Sequence, residues 1–261
     1  MDYGICSLSI VPVRAEPSDK SELVTQLIYG ECYELTGTQG NWRQVKIAAD
    51  DYTGWIDFKQ HYSVTKAYFE EWLAATHPRA VDIVQTISSA ATRIPVMIGS
   101  VLPFFDGINV RIGPEKYIYS GRATNNSLPF KINFFTKIAL SYLKTPYLWG
   151  GKSIFGIDCS GYVQQVFGIC GFQLPRDAWQ QAAIGEEVHF ANQTQTGDLA
   201  FFDNDEGRIV HVGILLENQQ IIHAHGEVRI DTLDHYGIFN QGQKRYTHKL
   251  RIIKRILPNI K

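Results

Sequence analysis

Asp158-Cys159-Ser160-Gly161 is the stretch from which the rest of the chain is best read. Behind the cysteine, Val163, Val166 and Phe167 recur at helical spacing, so the thiol is expected at a helix start. Unpaired backbone N–H groups and the positive end of the helix dipole gather there. Both favour thiolate over thiol. Two later histidines sit in strand-like runs, Ile209-Val210-His211-Val212-Gly213-Ile214 and Gln220-Ile221-Ile222-His223-Ala224. A nearby imidazole can accept the thiol proton, and a second polar group can hold that imidazole in one tautomer. That is the layout of a cysteine hydrolase.

Bulk properties exclude several other classes. The chain has 261 residues, 44% of them hydrophobic and 20% charged, with a formal net charge of -1. This is ordinary globular composition, without the basic excess of a nucleic-acid binder. No run of about 18 apolar residues marks a membrane span. Nucleic acid and membrane are therefore not expected partners, and a monomer is expected. Met1-Asp2-Tyr3-Gly4-Ile5-Cys6 lacks the basic and apolar regions of a secretory leader, so a cytoplasmic protein is expected unless a leader has been removed. Cys6, Cys32, Cys159 and Cys170 form no C-x-x-C pair and no zinc-like spacing with histidine; no metal or organic cofactor is expected.

Read in order, the chain changes character three times. Residues 1–62 give short alternating runs with Gly, Asn and Asp between them, the pattern of a small β-barrel. Residues 63–79 carry a helical pattern through Ala67, Phe69, Trp72, Leu73 and Ala75, stopped by Pro78, and read as a helical linker. Residues 80–125 return to strands around Val81–Val84, Ile94–Ile98 and Lys116–Gly121, a second small barrel. From 126 to 261 a helix over 133–145 and the Cys159 helix precede strands at Gly197–Phe202, His211, His223 and Ile252–Ile256. Helices followed by antiparallel strands make this region α+β.

Six ordered pieces carry a family resemblance: Pro146-Tyr147-Leu148-Trp149-Gly150-Gly151, Asp158-Cys159-Ser160-Gly161, Leu174-Pro175-Arg176, Gly197-Asp198-Leu199, His211-Val212-Gly213-Ile214 and Ile222-His223-Ala224. Through them residues 130–261 resemble the NlpC/P60 family, papain-like cysteine peptidases of cell-wall peptides. Residues 1–60 resemble a bacterial SH3 domain through Val13-Arg14, Gly30-Glu31, Trp42 and Gly54-Trp55-Ile56. Two SH3-like barrels ahead of such a peptidase resemble the arrangement of the γ-D-glutamyl-L-diamino acid endopeptidases. The resemblance implies a murein stem peptide with a free N-terminal L-Ala as substrate, cut between γ-D-Glu and the diamino acid. A chain without a leader would then recycle such peptides.

The same resemblance assigns roles. Cys159 is the expected nucleophile, His211 the base that later protonates the leaving amine, and His223 the residue orienting His211. His225, on the same strand face as His223, is its rival. The Cys159 N–H and the Tyr147 hydroxyl are expected to meet the oxyanion, although Tyr147 could equally be a core aromatic. Asp158 reads as a helix N-cap, and the resemblance adds contact of Asp158 and Ser160 with the substrate's N-terminal alanine. Glu16 and Tyr52 of the first barrel are expected to help hold its ammonium, with Glu22 and Glu31 as rivals and a solvated surface carboxylate as the plainer alternative. Some relatives carry a serine where this chain has Ala178, so the D-Glu carboxylate would fall to Arg176 or to backbone groups. An amidase or acyltransferase on the same fold, and a wall-binding protein without catalysis, stay open as alternatives.

Overall fold

In the computed structural model, residues 2–125, 129–189 and 193–258 are described. They fall into two compact units: Met1–Pro129 with Trp149–Ile154, and Phe130–Leu148 with Phe155–Lys261.

The first unit begins with β1 (Asp2–Ile5), β2 (Ile10–Arg14), β3 (Leu23–Ile28), β4 (Cys32–Gln39), β5 (Trp42–Ile47), β6 (Thr53–Asp57) and β7 (Ser63–Val64). These form one antiparallel sheet in the order β3-β2-β6-β5-β4-β1-β7. Alternation along β2 and β5 sends Val11, Val13, Val45 and Ile47 inward, where they meet Leu27, Tyr33 and Ile56. Helix α1 (Lys66–Ala74) is capped by the Thr65 side chain, which accepts from the Tyr68 N–H. It is more than a linker, because Tyr68 and Phe69 are buried. They join a core that also takes in Tyr3, Ile5 and Tyr29 from the first sheet and Ile87, Val96 and Val110 from the next.

That next sheet comprises β8 (Val84–Ser88), β9 (Arg93–Met97), β10 (Asn109–Ile112) and β11 (Glu115–Tyr119), ordered β10-β11-β8-β9. Two details differ from the sequence reading. The strand expected at Val81–Val84 starts only at Val84, because Asp82 is taken up by Arg122, accepting from its backbone N–H and its Nε. Strand β10 was not expected at all. Within residues 1–125, expected as two domains and a linker, α1 and both sheets thus contribute to this core, beside the separate core inside the first sheet. The short strand β12 (Lys152–Ser153) belongs to the same unit.

The second unit opens with α2 (Ile132–Ser141), four residues shorter at its end than the periodicity suggests. Phe135, Ile138 and Ala139 line its buried side, and Phe135 meets Phe167 edge-on at 5.0 Å. After β13 (Gly156–Ile157) comes α3 (Cys159–Ile169), buried on nearly every side. A helix apolar all round belongs inside a fold. Then follow α4 (Ala178–Gln181), β14 (Glu186–Glu187), β15 (Leu199–Asp203), β16 (Ile209–Leu215), β17 (Gln220–His225), β18 (Glu227–Leu233), β19 (Gly237–Asn240) and β20 (Arg245–Arg255).

Strands β15 to β20 close on themselves. The sheet runs β14-β20-β15-β16-β17-β18-β19, and β20 also pairs with β19. One eleven-residue strand makes this possible: Arg245–Lys249 pair with β19 and Lys249–Lys254 with β15. Ala200, Phe202, Leu215, Ile221, Leu233 and Ile238 form the core of this closed sheet. The sequence reading found only the last part of β20 and neither β18 nor β19, so the closure was not legible. Among the described residues no helix is long and apolar enough to cross a membrane.

Candidate active site

Asp158 starts α3 as its N-cap, with extended backbone and Oδ1 accepting from the Gly161 N–H at 2.7 Å. This places the Cys159 thiol at the first helical position, 6% exposed. The sequence reading expected the helix start to favour thiolate. The structure overturns this: burial first, and the Asp158 charge second, push the thiol up to about 12. The backbone N–H groups of Val212 and Ser160 and the Arg176 charge pull the other way without prevailing. A helix terminus contributes only about half a unit charge, which removal from water outweighs here. Cys159 therefore rests as a neutral thiol.

Its neighbour Val212 leads directly to His211. Strands β15, β16 and β17 bring the histidines onto one face of the sheet. Phe202 pairs with His211, and Ile214 with Ile222. Continuing that register sets Gly213 opposite His223. A Cβ at position 213 would lie 2.7 Å from Ile221 Cδ1 and 2.9 Å from His223 Cβ. The bare glycine leaves the space through which the His223 ring reaches His211. His211 Nε2 and His223 Nδ1 are 2.8 Å apart, so His211 Nδ1 is the ring nitrogen left to take the thiol proton. His225, the rival, makes a ring contact with His211 at 6.3 Å between centroids.

Beyond His223 the structure adds residues the sequence reading missed. His223 Nε2 lies 3.1 Å from Asp231 Oδ2. Arg229 donates from Nη2 to Asp231 Oδ1 at 3.0 Å, and its Nε sits 2.8 Å from Oδ2. His248 stacks on His211 at 4.1 Å between centroids. Burial holds His211 well below the usual imidazole range, and its neighbours His223, His248 and His225 add to the shift. His223 is lowered too, chiefly by burial, against the opposing pull of Asp231. The alternating run Val228-Arg229-Ile230-Asp231-Thr232-Leu233 was the available signal for β18.

Ring nitrogens of His211, His223 and His248 fall within 4.8 Å of one another, the one metal-like grouping among the described residues. Of these residues, His211 and His223 already share a 2.8 Å hydrogen bond between Nε2 and Nδ1.

The remaining expected residues are placed as follows. Tyr147 is half-buried; burial raises its phenol pKa, as do the adjacent Cys159 and Asp158. At neutral pH it is a neutral O–H donor. Arg176 was expected to meet a substrate carboxylate, and it meets one from its own chain. Its Nη1 and Nη2 donate to Asp158 Oδ1 and Oδ2 at 3.0 and 2.6 Å, and Nη1 also reaches Ser160 Oγ at 2.9 Å. With Arg176 1% exposed, this is a desolvated bidentate pair whose partners neutralise each other. Ala178 opens α4 behind an Asp177–Gln180 capping box and has no polar group to offer. In the first unit, Glu16 is exposed on the turn after β2, and Tyr52, half-buried, packs on the first core. Their rivals are engaged: Glu22 accepts from Trp149 Nε1 at 2.6 Å, and Glu31 pairs with Lys152 at 2.8 Å.

Residues 144–251 match the NlpC/P60 family, and residues 13–60 match the bacterial dipeptidyl-peptidase Sh3 domain. The chain is 28% identical over 215 residues to the gamma-D-glutamyl-L-lysine dipeptidyl-peptidase of Bacillus subtilis, covering 77% of this chain and 71% of that one. It is 27% identical over 244 residues to dipeptidyl-peptidase 6 of Lysinibacillus sphaericus, covering 84% and 88%. An NlpC/P60 family protein from Bacillus cereus superposes with a TM-score of 0.82 at 20% identity, over 98% of this chain and 100% of that one.

Proposed function

From a chain that carries an NlpC/P60 cysteine-peptidase domain behind a bacterial SH3 domain, we propose an endopeptidase that cuts the γ-D-Glu–diamino acid bond of murein stem peptides with a free N-terminal L-Ala. Peptide recycling is the role proposed for it. The observation that carries the chemistry is the hydrogen-bonded pair His211–His223, buried beside the helix start that presents Cys159. The similarity to dipeptidyl-peptidases over most of the chain supports the substrate.

The steps follow from the atoms. His211 Nδ1 takes the thiol proton as sulfur attacks the amide carbon, because neither group rests charged. The carbonyl electrons move onto oxygen, where the Cys159 N–H and the Tyr147 O–H can donate. Collapse expels the diamino acid's nitrogen, protonated by His211, and leaves a thioester of the γ-carboxyl. Water, deprotonated by His211, attacks this thioester, and the sulfur leaves and recovers its proton. Asp158 and Ser160 are proposed to border the alanine end of the substrate, held in place by Arg176, with Glu16 and Tyr52 contributing to its ammonium. The proposed α-carboxylate contact of Arg176 would have to compete with Asp158.

Cys159→Ala tests the reading. L-Ala-γ-D-Glu should no longer be released from a tripeptide substrate while the circular dichroism spectrum is unchanged; turnover retained by this variant would falsify the thiol mechanism. Acetylating the alanine should abolish cleavage by the native chain. Equal cleavage of the acetylated peptide would remove the ammonium contacts and leave the thiol chemistry standing.

A further inference from the structure

Asp231 lies on β18, eight residues beyond His223 in sequence and across one strand pairing in space. His223 pairs with Arg229, so Asp231 sits two residues further along the same face. Its side chain is 4% exposed and that of His223 0%. Burial alone would raise the Asp231 carboxyl; the hydrogen bonds from His223 and Arg229, with the Arg229 charge, outweigh it and hold it below the usual carboxylate range. Asp231 is therefore ionised at neutral pH and can only accept hydrogen bonds.

We propose that Asp231 is a positioning residue that sets the tautomers of two histidines in series and thereby points a bare nitrogen at Cys159. The proposal rests on the reading of Cys159 and His211 as nucleophile and base. An acceptor at Asp231 requires the proton of neutral His223 on Nε2. Its Nδ1 is then a lone pair, which requires His211 to donate from Nε2. His211 Nδ1 is consequently unprotonated. Each imidazole passes the choice on, because a neutral ring carries one proton and the hydrogen bond between the rings is already made at 2.8 Å. Arg229 keeps the chain anchored by donating from Nη2 to Oδ1, its charge lying 2.8 Å from Oδ2 at Nε. Without a fixed acceptor at 231, the reverse order becomes available: His223 protonated on Nδ1, and His211 protonated on Nδ1 and unable to take the thiol proton.

The test has a first arm that needs no variant and no substrate. In histidine-15N-labelled native chain near neutral pH, His223 and His211 should both be protonated on Nε2. Either ring found protonated on Nδ1 overturns the proposal. In the second arm, Asp231→Asn offers an amide that can donate as well as accept. It should shift both rings toward the Nδ1 form and slow both iodoacetamide alkylation of Cys159 and kcat, the latter by about 100- to 10,000-fold as when a triad carboxylate becomes an amide. KM should stay within about threefold, since no substrate contact is lost. Unchanged kcat, or a loss of kcat with both tautomers unaltered, counts against the relay. In the third arm His223→Gln gives His211 an amide oxygen directly, so adding Asp231→Asn to it should cost no more than about threefold further; a full additional loss would mean that Asp231 acts some other way. If the native chain cleaves no murein peptide, the peptidase reading fails while the tautomer and alkylation arms still judge the relay.

Discussion

At Cys159 and His211 the same physical cause acts with opposite sign. Removal from water disfavours the charged form of each, raising the thiol to about 12 and lowering the imidazole well below 6.5. Both shifts disfavour a thiolate–imidazolium ion pair at rest. Activity needs His211 neutral, so it should persist as pH falls through 6.5 and be lost only as pH passes below the depressed value of the folded protein. The acid limb of kcat/KM, measured in overlapping buffers at constant ionic strength, should lie below pH 6.5; a limb above that value would contradict the buried neutral base. The residues proposed to carry this chemistry stand out in the sequence because each is embedded in a short local pattern. Asp231 does not, because its role arises only when β17 and β18 are paired in register. The thiol's ionisation was misread for a related reason: a sequence displays a helix start but not the depth of burial around it.

Elements, rather than single residues, hold the proposed nucleophile in place. Helix α3 begins where Asp158 caps it, and Asp158 is itself fixed by Arg176 from the turn before α4. Removing the guanidinium would leave a buried carboxylate beside the sulfur without its counter-charge. Arg176→Ala should therefore cost about 3–5 kcal/mol of stability. Urea unfolding followed by circular dichroism would show it, and a loss under about 1 kcal/mol would mean that water replaces the arginine freely. The motif His211-Val212-Gly213 gains its meaning at the same scale. Glycine at 213 is dictated by the approach of β17, with His223 Cβ 2.9 Å from where a methyl would stand. A spacing rule in the sequence marks the motif; only the strand pairing explains it.

Across the whole molecule, local periodicity revealed most strands and helices, and long-range pairing stayed hidden. The closed sheet depends on β20 serving two partners, which alternation within Arg245–Arg255 cannot announce. The core that joins α1 to both sheets of the first unit was concealed likewise, since Tyr68 and Phe69 look like any amphipathic helix until Tyr3, Ile87 and Val110 are placed around them. The six residues Trp149–Ile154 are a further instance, for they fold with the first unit although the chain on either side of them belongs to the second. There, Lys152 is buried against Glu31, its backbone N–H donates to Gln26, and Trp149 donates to Glu22. Gly150, at φ +73, lets this loop approach so closely that a Cβ would fall 2.1 Å from the Leu23 carbonyl oxygen.

Such threading makes the polypeptide resemble a thread sewn back through cloth. A protease site inserted between 125 and 129 would sever the backbone, yet the carboxy-terminal piece would keep a stitch in its amino-terminal partner. The nicked protein should elute from gel filtration at the size of the uncut chain and come apart only in denaturant; two separate peaks without denaturant would show that the stitch does not hold.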